Sequence, residues 1–72
     1  MIYLIGNIKE NICKIGFSNN PNKRLKELQT GNPYFLDLLS IIEGDLNKEK
    51  ELHKKFKNFN LKGEWFTLND SI

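Results

Sequence analysis

Two side chains that can do chemistry lie one helical turn apart in the second half of the chain. Glu49 and His53 fall in a segment, about Leu46 to Lys57, whose apolar residues recur at helical spacing. At about 100° per residue, Glu49 lies among these apolar positions, whereas the other charged residues lie outside them. A carboxylate facing a core costs several kcal/mol unless it is paired or bound to a cation. The pattern therefore predicts either an ion pair of Glu49 with Arg24 or a lysine, or a cation site.

Arg24 is the second position at which residue type alone suggests chemistry. The chain has eleven basic residues, and Arg24 is its single arginine. A guanidinium offers a planar fork of donors that fits a phosphate, and a lysine does not reproduce this geometry. Arg24 is therefore a candidate anion ligand, while a solvated helix position is the ordinary explanation for this residue alone.

The other candidates also have ordinary structural explanations when each is taken alone. A histidine beside an apolar stripe, such as His53, is commonly a hydrogen-bonded core residue. Tyr3 fits a strand residue that packs its ring, and Trp65 and Phe66 fit aromatic cover of a core. Only the combination of these residues makes a functional case.

Most elements that must position these residues lie in the first half of the chain. Two short β-prone runs, Ile2 to Ile5 and Ile12 to Phe17, predict an N-terminal hairpin. Asn20 as N-cap and a proline at the first helical position predict a helix from about Pro21 to Thr30. Gly31 follows this helix as a typical C-terminal stop.

The second half predicts a strand, a helix and a further strand. The apolar run from Tyr34 to Glu43 indicates a central strand covered on both faces. The second helix follows a cap at Asp45 or Asn47, and Gly63 to Leu68 forms a short final strand. The order ββαβαβ predicts an α+β fold over residues 1–72, a small single domain with a mainly antiparallel sheet flanked by helices.

Length and composition exclude several classes of protein. A chain of 72 residues with a net charge of +2 makes one small core. Cys13, the single cysteine, has no partner for an internal disulfide, and one cysteine with one histidine does not make a structural zinc site. No apolar run approaches the roughly 18 residues of a membrane span. We expect a soluble, cytoplasmic protein that has no membrane partner.

Taken in chain order, the candidate residues form a set of motifs that resembles a known family. The set comprises Ile2-Tyr3, Lys14-Ile15-Gly16, Arg24, Glu49-x-x-Leu52-His53 and Gly63-Glu64-Trp65-Phe66. It resembles the GIY-YIG nuclease superfamily, most closely a small branch common in phages and bacteria that carries K-I-G, E-x-x-L-H and G-E-W-F motifs. The resemblance covers residues 2–68 and implies a metal-dependent endonuclease, a phosphodiester hydrolase that acts on DNA.

The resemblance also implies a role for each of five residues. Phosphodiester hydrolysis needs an activated water and neutralisation of the charge on the phosphoryl oxygens. Tyr3 would orient or deprotonate the water, and Lys14 would be the neighbouring cation that makes its phenol more acidic. Arg24 would hold the phosphate, and Glu49 would ligate one Mg²⁺ or Mn²⁺ ion. His53 would transfer a second proton or orient Tyr3.

Two positions depart from the pattern of the superfamily. Met1 stands where glycine is usual, and Lys14 stands where tyrosine is usual. The second change removes a phenol from the site, although lysine also occurs there among restriction-enzyme members of the superfamily. Glu64, in the last motif, receives no role from the resemblance.

Three interpretations remain open at this point. The first is an endonuclease with weak sequence preference for DNA, with RNA left open. It would act as a homodimer, or with an attached or partner protein that supplies specificity, because the chain has no addressing module such as a zinc finger. The second is a nuclease-derived nucleic-acid-binding module that keeps Arg24 but lost turnover through Lys14. The third is a protein-interaction domain in which Glu49 and Arg24 form a buried pair.

Overall fold

A computed structural model describes residues 1–68 and contains a five-stranded sheet with two helices. The strands are β1 (Ile2–Asn7), β2 (Ile12–Phe17), β3 (Asp37–Ile42), β4 (Asn60–Lys62) and β5 (Trp65–Thr67). The helices are α1 (Pro21–Gln29) and α2 (Leu46–Lys55), and a short 3-10 turn, Lys57–Phe59, follows α2. The predicted α+β class and the N-terminal hairpin are confirmed.

The hairpin of β1 and β2 forms the centre of the sheet. The strand order is β3-β1-β2-β5-β4, and every neighbouring pair is antiparallel. The hairpin turn is closed by Asn11, which has a positive φ of 56°, and by the Asn7 side chain, which accepts from the Glu10 amide. Asparagine tolerates the left-handed region better than most residues. Local turn chemistry therefore fixes the register of the two central strands.

The sheet carries one hydrophobic cluster on each face. Because successive strand residues point to opposite faces, Ile2 and Tyr3 belong to different clusters. The Ile2 cluster includes Phe56, which directly follows α2, and packs against Leu52 of that helix. The Tyr3 cluster includes Ile5 and Leu36 and packs against α1. Each helix therefore covers its own face of the central hairpin.

The predicted central position of the third strand is wrong. β3 covers only Asp37–Ile42, lies at one edge of the sheet, and has no buried residue. The central positions are taken by the hairpin, because β1 pairs with β3 on one side while β2 pairs with β5 on the other. An open groove lined in part by Ser40 and Ile42 remains beside β3, so its apolar run is only partly covered.

Smaller differences concern the second half of the chain. The second helix ends at Lys55, two residues before the predicted end, and Asp45 is its N-cap. β4 contains only three residues, and no pattern in the sequence predicts it. The predicted last strand shrinks to Trp65–Thr67 because Gly63 and Glu64 form the turn that enters it. No helix within residues 1–68 has the length and apolarity needed to cross a bilayer.

Candidate active site

The candidate site forms along one edge of β2, just beyond the end of its pairing with β5. β5 pairs with Ile12, Cys13 and Lys14 only. The next residue, Ile15, bonds through its amide to the Glu64 carbonyl at 3.2 Å and through its carbonyl to His53 Nε2 at 2.7 Å. Within residues 1–68 this stretch of β2 has no further strand neighbour on that side. Side chains from both faces of the sheet can therefore meet at this edge.

Gly16 is the position that allows Tyr3 to reach this edge. The two residues are direct partners in the β1–β2 ladder. A Cβ atom on Gly16 would collide with Oη and Cζ of Tyr3, so the phenol ring lies directly over the glycine backbone. Tyr3 is 2% exposed. Any side chain at position 16 would displace the ring, which gives the glycine a packing reason of its own.

The buried phenol of Tyr3 lies within hydrogen-bonding reach of the guanidinium of Arg24 on α1. Burial is the main cause of a raised pKa of Tyr3, and the hydrogen bond and charge of Arg24 oppose it. The charges of Glu64 and Glu49 raise the pKa further. The net direction is opposite to the more acidic phenol expected from the sequence. Tyr3 is therefore held as a neutral hydroxyl in the protein without a bound cation.

Arg24 is held between Tyr3 and solvent. Its hydrogen bond with Tyr3 is the main cause of a raised pKa of the guanidinium, which remains charged at any ordinary pH. Arg24 also contacts Glu27 at 3.5 Å on the outer side of α1. A polar surface depression beside it is lined in part by Ser18, Asn20 and Lys23. The guanidinium therefore faces a buried partner on one side, while its outer side meets Glu27 and an open polar depression, where an anion would have to compete with the Glu27 carboxylate.

Lys14 lies on β2, two residues before Gly16, and forms an ion pair with Glu64. The ammonium lies 3.1 Å from the carboxylate of Glu64, and it lies 5.6 Å from the centre of the Trp65 ring. The Lys14 side chain is only 11% exposed. The sequence predicted Lys14 as a site cation but missed Glu64 as its partner. No local signal in the sequence marks Glu64 as this partner, because the two residues lie far apart along the chain.

Glu49 and His53 approach the β2 edge from the opposite face. His53 Nε2 donates to the Ile15 carbonyl, because a carbonyl oxygen only accepts, and the imidazole ring packs on Phe66 with centroids 5.2 Å apart. The Glu49 side chain is 15% exposed, and its Oε1 lies 3.9 Å from His53 Nε2. His53 therefore fastens α2 to the sheet one turn after Glu49.

Glu49 is less completely surrounded by apolar side chains of α2 than the sequence predicts. Leu46 is 57% exposed, so the apolar stripe of α2 is narrower than the periodicity indicates, and Glu49 lies at its margin. None of the ion pairs within residues 1–68 joins Glu49 to Arg24 or to a lysine. The expected alternative of a structural Glu49–Arg24 pair is thus absent from the described part of the chain.

The side chains around Glu49 could hold a metal ion through one carboxylate, with other ligands coming from water or a bound anion. They do not form a closed set of protein ligands. Residues 1–68 contain no group of three or more histidine, cysteine or acidic side chains that could hold a metal ion. Mg²⁺ commonly uses one or two protein carboxylates together with waters and phosphate oxygens. A single covered carboxylate at the edge of a polar site has the right chemistry for that mode.

Together, these features define a small antiparallel α+β domain with a polar site at a sheet edge. All five residues predicted from the sequence lie around the Lys14–Gly16 stretch of β2, and they come from both faces of the sheet. A family model described as "T5orf172 domain" matches residues 1–71, and the chain belongs to this family. The family is related to the GIY-YIG nucleases. No curated protein and no solved structure matches the chain.

Proposed function

We propose that this protein is a metal-dependent endonuclease that hydrolyses DNA phosphodiester bonds with weak sequence preference. One observation carries the proposal: the Tyr3 phenol lies over Gly16 beside Arg24, and at the neighbouring residue Ile15 the carbonyl binds His53, whose Nε2 lies 3.9 Å from the Glu49 carboxylate. A phenol, a guanidinium and a carboxylate gathered along one strand edge are groups that phosphoryl transfer to water can use. Membership of a family related to GIY-YIG nucleases supports the same conclusion.

In this mechanism Arg24 binds and orients the scissile phosphate. Its planar donors neutralise charge that grows on the phosphoryl oxygens in the transition state. Tyr3 orients the attacking water through its hydroxyl, since its raised pKa favours hydrogen bonding over proton abstraction. The new P–O bond forms as the bond to the leaving oxygen breaks, and the proton lost by the water passes through solvent to that leaving oxygen. Lys14 contributes a second cation from the adjacent strand. Glu49 would hold Mg²⁺ or Mn²⁺, which supplies Lewis-acid stabilisation of the phosphoryl charge when bound.

His53 positions Glu49 in this proposal and does not transfer a proton through Nε2. That nitrogen already donates to the Ile15 carbonyl at 2.7 Å. The bond connects α2 to the strand that carries Lys14 and Gly16. A shift of α2 would move the Glu49 carboxylate relative to Tyr3, and small displacements of catalytic groups are costly.

A second candidate function is a nucleic-acid-binding module without turnover. The raised pKa of Tyr3 favours it, because a phenol that keeps its proton is a weak base. Such a module would still grip phosphate through Arg24. The two candidates differ in whether bound nucleic acid is cut when a divalent cation is supplied.

The test is nicking of supercoiled plasmid with Mg²⁺ or Mn²⁺, repeated with labelled DNA and RNA oligonucleotides. We expect wild type to nick DNA, and Glu49→Gln and Arg24→Lys to lower the rate by about 100-fold or more. Lys26→Met, which removes a charge from the same helix as Arg24, should stay close to wild type. Arg24→Lys is informative because it keeps the charge and removes only the planar fork.

The outcomes separate the candidates. Equal nicking by wild type and Glu49→Gln would indicate a contaminating nuclease and reject the assignment. Salt-dependent DNA binding by wild type without cleavage in either metal would favour the binding module. Sedimentation of the protein with and without DNA tests the predicted homodimer, and addition of candidate partner proteins tests whether specificity is supplied from outside.

A further inference from the structure

Lys14 carries a positive charge in a place that is largely shielded from water. Its side chain is 11% exposed and lies against the Trp65 ring. An ammonium removed from water needs a compensating partner, because desolvation without one costs several kcal/mol. The Glu64 carboxylate, 3.1 Å away, is the one acidic group within residues 1–68 that forms an ion pair with it.

The backbone around Glu64 is fixed on both sides of the residue. Its carbonyl accepts from the Ile15 amide at 3.2 Å, which joins it to β2. The Asn60 side chain donates to the carbonyls of Gly63 at 2.7 Å and Trp65 at 3.2 Å. Gly63 has a positive φ of 56°, a conformation that favours glycine and makes the turn tight. The Glu64 carboxylate is therefore presented to Lys14 by a rigid turn.

This geometry leaves part of the Lys14 ammonium available. An ammonium has three N–H donors, and one carboxylate oxygen within contact distance engages one of them. The lysine side chain is flexible by itself and does not define a direction. Contact with Glu64 and with the Trp65 ring restricts it, so the ammonium and the donors that Glu64 does not engage are held in one place.

We propose that Glu64 is a positioning residue that fixes the Lys14 ammonium for contact with the substrate phosphate. This inference rests on the proposed endonuclease function and assigns a role to a residue that the sequence left unassigned. Glu64 also places a negative charge near the incoming phosphate. Its removal should therefore slow cleavage and tighten DNA binding at the same time, a combination that loss of folded protein does not produce.

The pairing itself can be tested without any cleavage. The ¹H–¹⁵N ammonium signal of Lys14, assigned with Lys14→Met, should be visible in wild type at low temperature because the ion pair slows its exchange. Glu64→Gln should abolish this signal. Glu51→Gln, which removes a carboxylate that only contacts Lys48 at 4.0 Å on the surface, should leave it unchanged. An equal Lys14 signal in wild type and Glu64→Gln overturns the proposal.

The functional consequence is tested by a double-mutant cycle of Glu64→Gln and Lys14→Met. Single-turnover cleavage by Glu64→Gln should fall about 10- to 100-fold, with severalfold tighter DNA binding. In the Lys14→Met background, the same change at Glu64 should alter the rate by no more than about twofold. A rate loss that persists in that background overturns the proposal. Failure of wild type to cleave would overturn the endonuclease function instead, and the ammonium signal would still decide the pairing.

Discussion

The two helices have similar lengths and equivalent N-caps, but they hold their functional residues in different ways. Asn20 Oδ1 accepts from the Lys23 amide at 3.1 Å, and Asp45 Oδ1 accepts from the Lys48 amide at the same distance. On α1, Arg24 lies beside the buried Tyr3 phenol, and Leu25 and Leu28 of the same helix pack on the Tyr3 cluster. On α2, no residue is buried. The placement of α2 depends on half-buried contacts and on one polar bond to the sheet.

The comparison shows two ways to deliver a side chain to the same sheet edge. The α1 side uses apolar packing around Tyr3, so the identity of the packed residues decides where Arg24 lies. The α2 side uses a bond to a main-chain carbonyl, which is present whatever residue occupies position 15. The α1 side should therefore be most sensitive to volume at the sheet, and the α2 side to loss of a single donor.

The largest combined effect on cleavage and stability is expected for Gly16→Ala, which disturbs the packing of Tyr3 on the α1 side of the sheet. The new methyl would collide with the Tyr3 ring and force it away from Arg24. We expect cleavage to fall by about 100-fold and the free energy of unfolding to fall by about 1–3 kcal/mol. Plasmid nicking and urea unfolding measure the two effects.

Gly31→Ala is the matched control for this change. Gly31 has a φ of 77° and open space around its Cα, so alanine there meets backbone strain but no neighbour. It should cost about 1 kcal/mol of stability and leave cleavage per folded molecule unchanged. Equal loss of activity in both variants would show that the site responds to general destabilisation and not to the position of Tyr3.

The next effect concerns the bond that holds α2. His53→Ala removes the donor to the Ile15 carbonyl and leaves that acceptor part-buried. We expect the free energy of unfolding to fall by about 1–2 kcal/mol and cleavage to fall about tenfold. Lys54→Ala, at the neighbouring exposed position, should do neither. Partial rescue by His53→Gln, whose amide can donate, distinguishes an anchoring role from proton transfer, which glutamine cannot perform.

The sequence predicted most of the fold because its local signals are strong. Asn20 with Pro21 and Asp45 with the helix that follows it are caps that the structure contains. The hairpin followed from two β-prone runs separated by a polar turn. These signals involve residues close in sequence, so they do not depend on how distant parts of the chain pair.

The order of the strands in the sheet could not be predicted from such local signals. The run from Tyr34 to Glu43 is apolar on both faces, which is typical of a central strand, yet β3 lies at an edge. Apolar periodicity reports burial tendency and not the number of neighbours a strand acquires. Two candidate residues also gained partners that no spacing reveals: Lys14 pairs with Glu64, 50 positions later, and His53 bonds to Ile15 across 38 positions.

A smaller effect on stability is expected for Glu49→Leu, which tests whether the functional carboxylate lowers the stability of the fold. The carboxylate is 15% exposed, no lysine or arginine within residues 1–68 forms an ion pair with it, and His53 Nε2 lies 3.9 Å away. Leucine should raise the free energy of unfolding by up to about 1 kcal/mol while cleavage is lost. Glu51→Leu, at an exposed position of the same helix, should give no gain. Destabilisation by Glu49→Leu would instead assign Glu49 a structural role in docking α2.

The last test compares the two faces of the sheet through one buried ionisable group on each face, Cys13 and Tyr3. It should give the smallest effect at neutral pH. Burial raises the pKa of Cys13, on the α2 face, from 9.0 to about 11, and raises the pKa of Tyr3, on the α1 face, above its ordinary 10.0. The unfolded chain therefore releases these protons first as the pH rises. Their contribution to stability is complete below about pH 9 and declines through the folded pKa values.

The thiol should account for roughly 2–3 kcal/mol of the stability lost once the pH reaches its folded pKa. Urea unfolding at pH 8, 9, 10 and 11 should show a shallower decline for Cys13→Ala from pH 9 upward, and for Tyr3→Phe only above about pH 10. At pH 8 neither variant should differ from wild type in slope. If the decline of stability with pH is the same in Cys13→Ala as in wild type, water reaches the thiol on the α2 face. A hydrophobic cluster that admits water could not hold Glu49 in place through the single bond between His53 and Ile15.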